Sequence, residues 1–170
     1  MKQPQPINRH TIAVLVDNEP GILARVVGLF SGRGYNIESL TVAEVEQAEQ
    51  LSRITVVTSG TEQVIEQIKA QLGRLVPVHK VHDLTSEGPH VERELALVKV
   101  AGTGDKRVES LRIADIFRAR AIDSTTESFV FEITGSQEKV NAFVALMIPL
   151  GLVEVSRTGI VAISRGASGF

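Results

Sequence analysis

The 170-residue chain has no cysteine and no tryptophan, and only one tyrosine. The absence of cysteine excludes disulfides, thiolate zinc sites and cysteine nucleophiles. Aromatic residues make up only 4%. Rings on which bases or sugars could stack are therefore scarce, and the core is expected to rest on Val, Ile and Leu. No run approaches the roughly 20 apolar residues of a membrane span. The opening MKQPQPINRH has no apolar stretch that could act as a signal peptide, so a cytoplasmic location with no membrane partner is expected. Basic charge is not in excess either. The net charge is −2 and the 18 Lys and Arg are scattered, which argues against nucleic acid, whose phosphates demand a concentrated basic surface.

What is present is enough to fold. Hydrophobic residues at 43% can bury a core, and 22% charged residues leave an ordinary surface. After a polar arm over 1–10, Thr11–Val16 is a β-branched run that reads as a strand. Asp17-Asn18-Glu19-Pro20-Gly21 breaks it. Ile22, Leu23, Val26, Val27 and Phe30 then fall at helical spacing. Strands are expected over 37–42, 51–58 and 76–82, with a charged hairpin over 43–50. A helix carrying Val64, Ile65, Ile68 and Leu72 lies between the last two strands. The order is βαββαβ.

Ser86, Gly88 and Pro89 mark a linker over 85–93, after which the order restarts. Strands are expected over 95–101, 121–124, 128–134, 152–156 and 160–164. The last two could form a hairpin through Arg157-Thr158-Gly159. The helices are expected over 108–119, with Ile113, Ile116 and Phe117 on the stripe, and around Val140, Phe143, Val144 and Met147. The fold class is α+β: two tandem ferredoxin-like βαββαβ domains, over 11–84 and 94–166, with antiparallel sheets carrying helices on one face. A short tail over 167–170 follows. Open sheets of this kind leave an edge and a face to be covered, so a homodimer is the structural expectation.

A search for chemistry finds little. His79 and His82 are three apart on a strand and point to opposite faces, a poor metal pair. Glu44, Glu46 and Glu49 read as a solvated hairpin tip. Gly102-Thr103-Gly104-Asp105-Lys106 lacks the Gly-Lys-Ser/Thr ending of a phosphate loop and reads as a flexible turn. No catalytic residue and no metal site is assigned. The turn Asp17–Gly21 stands apart. A helix N-terminus leaves amide groups unpaired and partly positive, and Gly21 permits close approach of a ligand to the main chain. Such a turn can hold a carboxylate on the amides of Gly21, Ile22 and Leu23. On spacing alone, Asp17 or Asn18 could equally be a plain helix cap.

Longer stretches bear on that choice. The segment from Asp17 through Gly21 and Leu23 to Val26 resembles the opening signature of ACT domains, the small-molecule regulatory modules of amino-acid metabolism. Gly28 to Val42, containing Tyr35-Asn36-Ile37-Glu38-Ser39, resembles more specifically the small subunit of acetohydroxyacid (acetolactate) synthase. Leu51-Ser52-Arg53, Gln67 to Leu75, Glu92 to Lys99, Ile116-Phe117-Arg118 and Ser164-Arg165-Gly166 extend the likeness in order from about Thr11 to Gly166.

The resemblance implies a non-catalytic regulatory subunit. Its partner would be a large catalytic subunit carrying thiamine diphosphate, magnesium and FAD, which condenses 2-oxoacids in branched-chain amino-acid biosynthesis. The small subunit would bind no cofactor itself, raise that activity and confer feedback inhibition by valine. The implied effector residues are Asn18, Gly21, Ile22 and Leu23 from one chain, with Asn36 and Ile37 from a second copy across the dimer. The alternatives are an ACT regulator of a different partner, a stand-alone enzyme on this scaffold, or an amino-acid-responsive transcription regulator. The enzyme lacks a converging catalytic set, and the regulator of transcription lacks a basic DNA-reading element.

Overall fold

Alternating apolar residues give a strand two faces, and β1 (Asn8–Asp17) buries both. In the computed structural model, which describes residues 6–169, Ile12, Val14 and Val16 turn to one side and Thr11 and Ala13 to the other, all inaccessible to solvent. The strand begins at Asn8, inside the arm expected over 1–10; residues 1–5 of that arm lie outside the described residues. It continues into α1 (Ile22–Ser31), β2 (Ser39–Glu46), β3 (Leu51–Gly60), α2 (Glu62–Leu72) and β4 (Val78–Asp83). The sheet order is β2-β3-β1-β4 and every pairing is antiparallel. Ile22, Val26 and Phe30 of α1 and Ile65, Ile68 and Leu72 of α2 close over the face carrying Ile12, Val14, Ile54 and Val56.

The second set repeats the topology. It comprises β5 (His90–Ala101), α3 (Asp105–Phe117), β6 (Arg120–Ser124), β7 (Ser128–Gly135), α4 (Gln137–Met147) and β8 (Leu152–Arg157), in the order β6-β7-β5-β8. Its core departs from the expectation of aliphatic packing. Phe117, Phe129, Phe131 and Phe143 cluster there, with neighbouring rings 5.4–6.1 Å apart, an aromatic arrangement with favourable edge contacts. Ile116, expected on the inner stripe of α3, is 63% exposed; Ile113, Ala114 and Phe117 face inward instead.

The last strand, β9 (Val161–Ser164), corrects the expected closing hairpin. It pairs with β5, not with β8. One compact unit contains the chain up to Val91 together with the segment from Ile160 onward, and the other spans Glu92–Gly159. The returning segment covers the helix-free face of the first sheet. Ile160 is 1% exposed, and Ala162 clusters with Ala13 and Leu84. Main-chain groups are satisfied as well: Ser39 Oγ accepts from Ile160 N–H, Thr41 Oγ1 donates to Ile160 O, and Arg53 Nη2 donates to Ala162 O at 2.7 Å. Burial lowers the Arg53 guanidinium below its ordinary value. Among the described residues, no helix is long and apolar enough to cross a membrane.

Replacing Ile160 with Ala should therefore destabilise the first unit by about 2–4 kcal/mol, the usual loss for truncating a buried isoleucine. The check is the urea unfolding midpoint, and an unchanged midpoint would refute the packing role.

Candidate functional site

The two helices of each unit begin differently. Thr61 opens α2 and its hydroxyl accepts from Val64 N–H; Ser136 opens α4 and accepts from Lys139 N–H. These are ordinary hydroxyl caps. Helices α1 and α3 start instead from Gly21 and Gly104, with no side-chain cap at all. Neither Asp17 nor Asn18 caps α1, which answers the choice left open by spacing alone.

At the start of α1 the backbone is held from behind. Asp17 N–H donates to Pro77 O at 2.9 Å and Asn18 N–H to Gln50 O at 2.7 Å. Glu19 N–H turns back to Asp17 O, and Ile22 N–H reaches Glu19 O at a long 3.4 Å. The amides of Gly21, Leu23 and Ala24 find no acceptor among the described residues. Gly21 has φ +86°, and a Cβ there would meet nothing within 4 Å. The result is an open, partly positive helix end.

The six expected effector residues fall into two groups. Asn18 and Gly21 are exposed on the turn, and Leu23 is 40% exposed beside them. Ile22 is 5% exposed and belongs to the core, so it presents only its backbone outward. Asn36 and Ile37 lie beyond the other end of α1. There Asn36 O accepts from Thr58 Oγ1 at 2.7 Å, leaving the Asn36 side chain exposed, and Ile37 packs at the rim of the core. Tyr35 fixes that loop through its N–H to Phe30 O and its hydroxyl to Gln67 Oε1.

Within one chain the groups do not meet. Asp17 is opposite Leu51 in the sheet whereas Thr58 is opposite His10, which places the groups about 20 Å apart at the rise of a strand. The loop with Asn36 leads directly into β2, whose outer edge has no neighbouring strand among the described residues.

Other candidates resolve plainly. His10, His79 and His82 pair with Asp83, Asp17 and Glu87 respectively, and no group of three potential metal ligands occurs among the described residues. Glu44, Glu46 and Glu49 are all exposed, but only Glu49 lies in the hairpin turn over 47–50; Glu44 and Glu46 stand on β2, paired opposite Ser52 and Leu51, because the strand runs further than expected. Sequence reasoning missed the Asp17–His79 pair, because its partners are 62 residues apart.

Two βαββαβ units, each opening its first helix from an uncapped glycine, define a tandem ACT-domain protein. Residues 12–80 match the family described as the small subunit-like ACT domain of acetohydroxyacid synthase, and residues 93–166 match the small subunit of acetolactate synthase. A probable acetolactate synthase small subunit of Archaeoglobus fulgidus is 49% identical over 158 residues, covering 93% of this chain and 98% of that protein. The isozyme 3 small subunit of Escherichia coli is 47% identical over 159 residues, covering 93% and 96%. The crystal structure of the Thermotoga maritima small subunit superposes with a TM-score of 0.86 at 41% identity, covering 95% of this chain and 99% of that one. The chain belongs to the acetolactate synthase small-subunit family.

Gly21→Ala should cost about 1 kcal/mol, because its positive φ strains any side chain even where space is free. Gly21→Asn should cost less, since asparagine tolerates this conformation. Urea denaturation of both variants checks the order.

Proposed function

We propose that this chain is the regulatory subunit of a cytoplasmic acetolactate synthase. It activates the catalytic large subunit and confers feedback inhibition by valine on branched-chain amino-acid biosynthesis. The carrying observation is the uncapped start of α1 at Gly21, where free amides and open space coincide. Valine's carboxylate would lie on the amides around Gly21 and Leu23. Its ammonium would meet oxygens of Asn18 and of the second copy's Asn36, and its isopropyl group would rest against Leu23 and the second copy's Ile37.

The separation of the two residue groups supports a site shared between copies. A two-fold axis normal to α1 sets two copies of the helix antiparallel, which brings each N-terminus beside the loop that follows the other's C-terminus. The unpaired edge of β2 is available for the same pairing. Thiamine diphosphate, magnesium and FAD belong, on this reading, to the catalytic partner. A ligand of valine's size can contribute about −4 to −8 kcal/mol, a Kd from roughly micromolar to millimolar, which suits sensing of a metabolite pool. Regulation further requires that valine bind the inhibited and active assemblies with different affinity.

Gly21→Asp places a carboxylate where the ligand's own would sit. The reconstituted holoenzyme should keep its activation by the small subunit and lose valine inhibition. Full inhibition of that variant would rule the site out. Calorimetry with valine, leucine and isoleucine ranks the effectors, and absence of binding by all three would rule the effector reading out.

A further inference from the structure

Asp17 ends β1 one residue before Asn18, and the effector reading gives it no task. Its carboxylate lies 2.6 Å from His79 Nε2, with both side chains 48% exposed. His79 reaches it because β4 is irregular there. Val16 pairs with Val78 and Leu15 with Lys80, which leaves His79 as the extra residue of a bulge. Bulges re-aim side chains, and this one delivers an imidazole to the root of the turn. The same stretch supplies Pro77 O to the Asp17 N–H, so Asp17 is held by main chain and side chain together.

We propose that His79 is a positioning residue that sets the charge at the effector turn, so that amino-acid binding at Asn18–Leu23 tightens when His79 takes up a proton. The inference rests on reading that turn as the effector site. With a neutral imidazole, the Asp17 charge stands uncompensated at the root of the turn whose amides would hold the ligand's carboxylate. With an imidazolium the pair is neutral and the helix end keeps its full pull on an anion.

Histidine ordinarily changes charge between pH 5 and 8, whereas the ammonium and carboxylate of an aliphatic amino acid titrate outside that window. The neighbouring charges are carboxylates, amines and guanidinium groups, whose ordinary titrations also lie outside it. On the turn, Glu19 faces Arg25 at 3.4 Å. On β4, Lys80 follows His79; the α2 pair of Lys69 and Glu66, 2.8 Å apart, lies toward Asp83 and Glu87 at the other end of that strand. On the hairpin that supplies Gln50 O, Glu49 precedes Gln50. His10 and His82 pair with Asp83 and Glu87 at the far end of β4.

The test is calorimetry of the purified full-length chain with L-valine at pH 6 and pH 8 in low salt. The native Kd should rise about threefold between them, the scale of one partly screened charge at this range. His79→Gln keeps a donor for Asp17 but cannot titrate, so its Kd should stay flat near the native value at pH 8. Asp17→Asn removes the opposing charge but keeps the imidazole, so at pH 8 it should bind near the native value at pH 6 and tighten further at pH 6. A His79→Gln variant that keeps the native pH slope overturns the inference and leaves the effector site standing. A native affinity that increases with pH also overturns it, because Asp17 would then be serving the ligand's ammonium. Absence of valine binding to the native chain at both pH values overturns the effector reading and this inference together.

Discussion

Everything in the first unit depends on burying both faces of the central β1–β3 pair. A sheet with helices on one side normally leaves its other side wet, and alternation then places polar residues there. Here the second face carries Thr11, Ala13, Thr55 and Val57, all buried. Helices α1 and α2 account for one face only. The other is closed by the chain's own segment from Ile160, which adds apolar contact through Ile160 and Ala162 and hydrogen bonds to Ser39, Thr41 and Arg53. Thr41 and Arg53 therefore sit under cover without being stranded, since a buried polar group is costly only when it lacks a partner.

With the sheet clamped on both sides, the ends of its strands become rigid supports for what lies beyond them. The turn after β1 is tied to Pro77, Gln50 and His79, from two neighbouring elements. It presents its amides without a cap of its own. A hydroxyl at this position, of the kind Thr61 and Ser136 provide elsewhere, would satisfy the helix and close its open end. An open helix end is slightly less stable than a capped one, and the ties behind it hold its shape without occupying it.

Much of this was legible in the sequence. The βαββαβ order follows from periodicity, and Thr61 and Ser136 announce their helices because hydroxyl caps act within one turn of the residues they serve. Gly21 could be recognised as a special position, but not that Asp17 and Asn18 leave α1 uncapped, since that depends on Pro77, Gln50 and His79 brought from far along the chain. The alternation of exposed Val161 and Ile163 with buried Ile160 and Ala162 reads as a strand, yet periodicity cannot say which sheet it joins. Ile116 is the residue periodicity misplaces: α3 turns Ser110, Ile113, Ala114 and Phe117 inward, and Ile116 falls on the exposed side.

The return of the segment after Ile160 has a consequence for the order in which the protein can be made. The hydrogen bonds that seal the first sheet join residues 109 to 121 positions apart. Synthesis proceeds from the N-terminus and domains generally fold as they emerge. The first unit must therefore wait, one face uncovered, while the whole of Glu92–Gly159 is translated. The unit encoded second is the first that can be finished. For that interval the nascent chain displays the buried face of β1 and β3, the kind of surface that chaperones hold and that pairs wrongly when crowded. Closure of the first sheet thus waits on β9, a strand made only after the whole second unit.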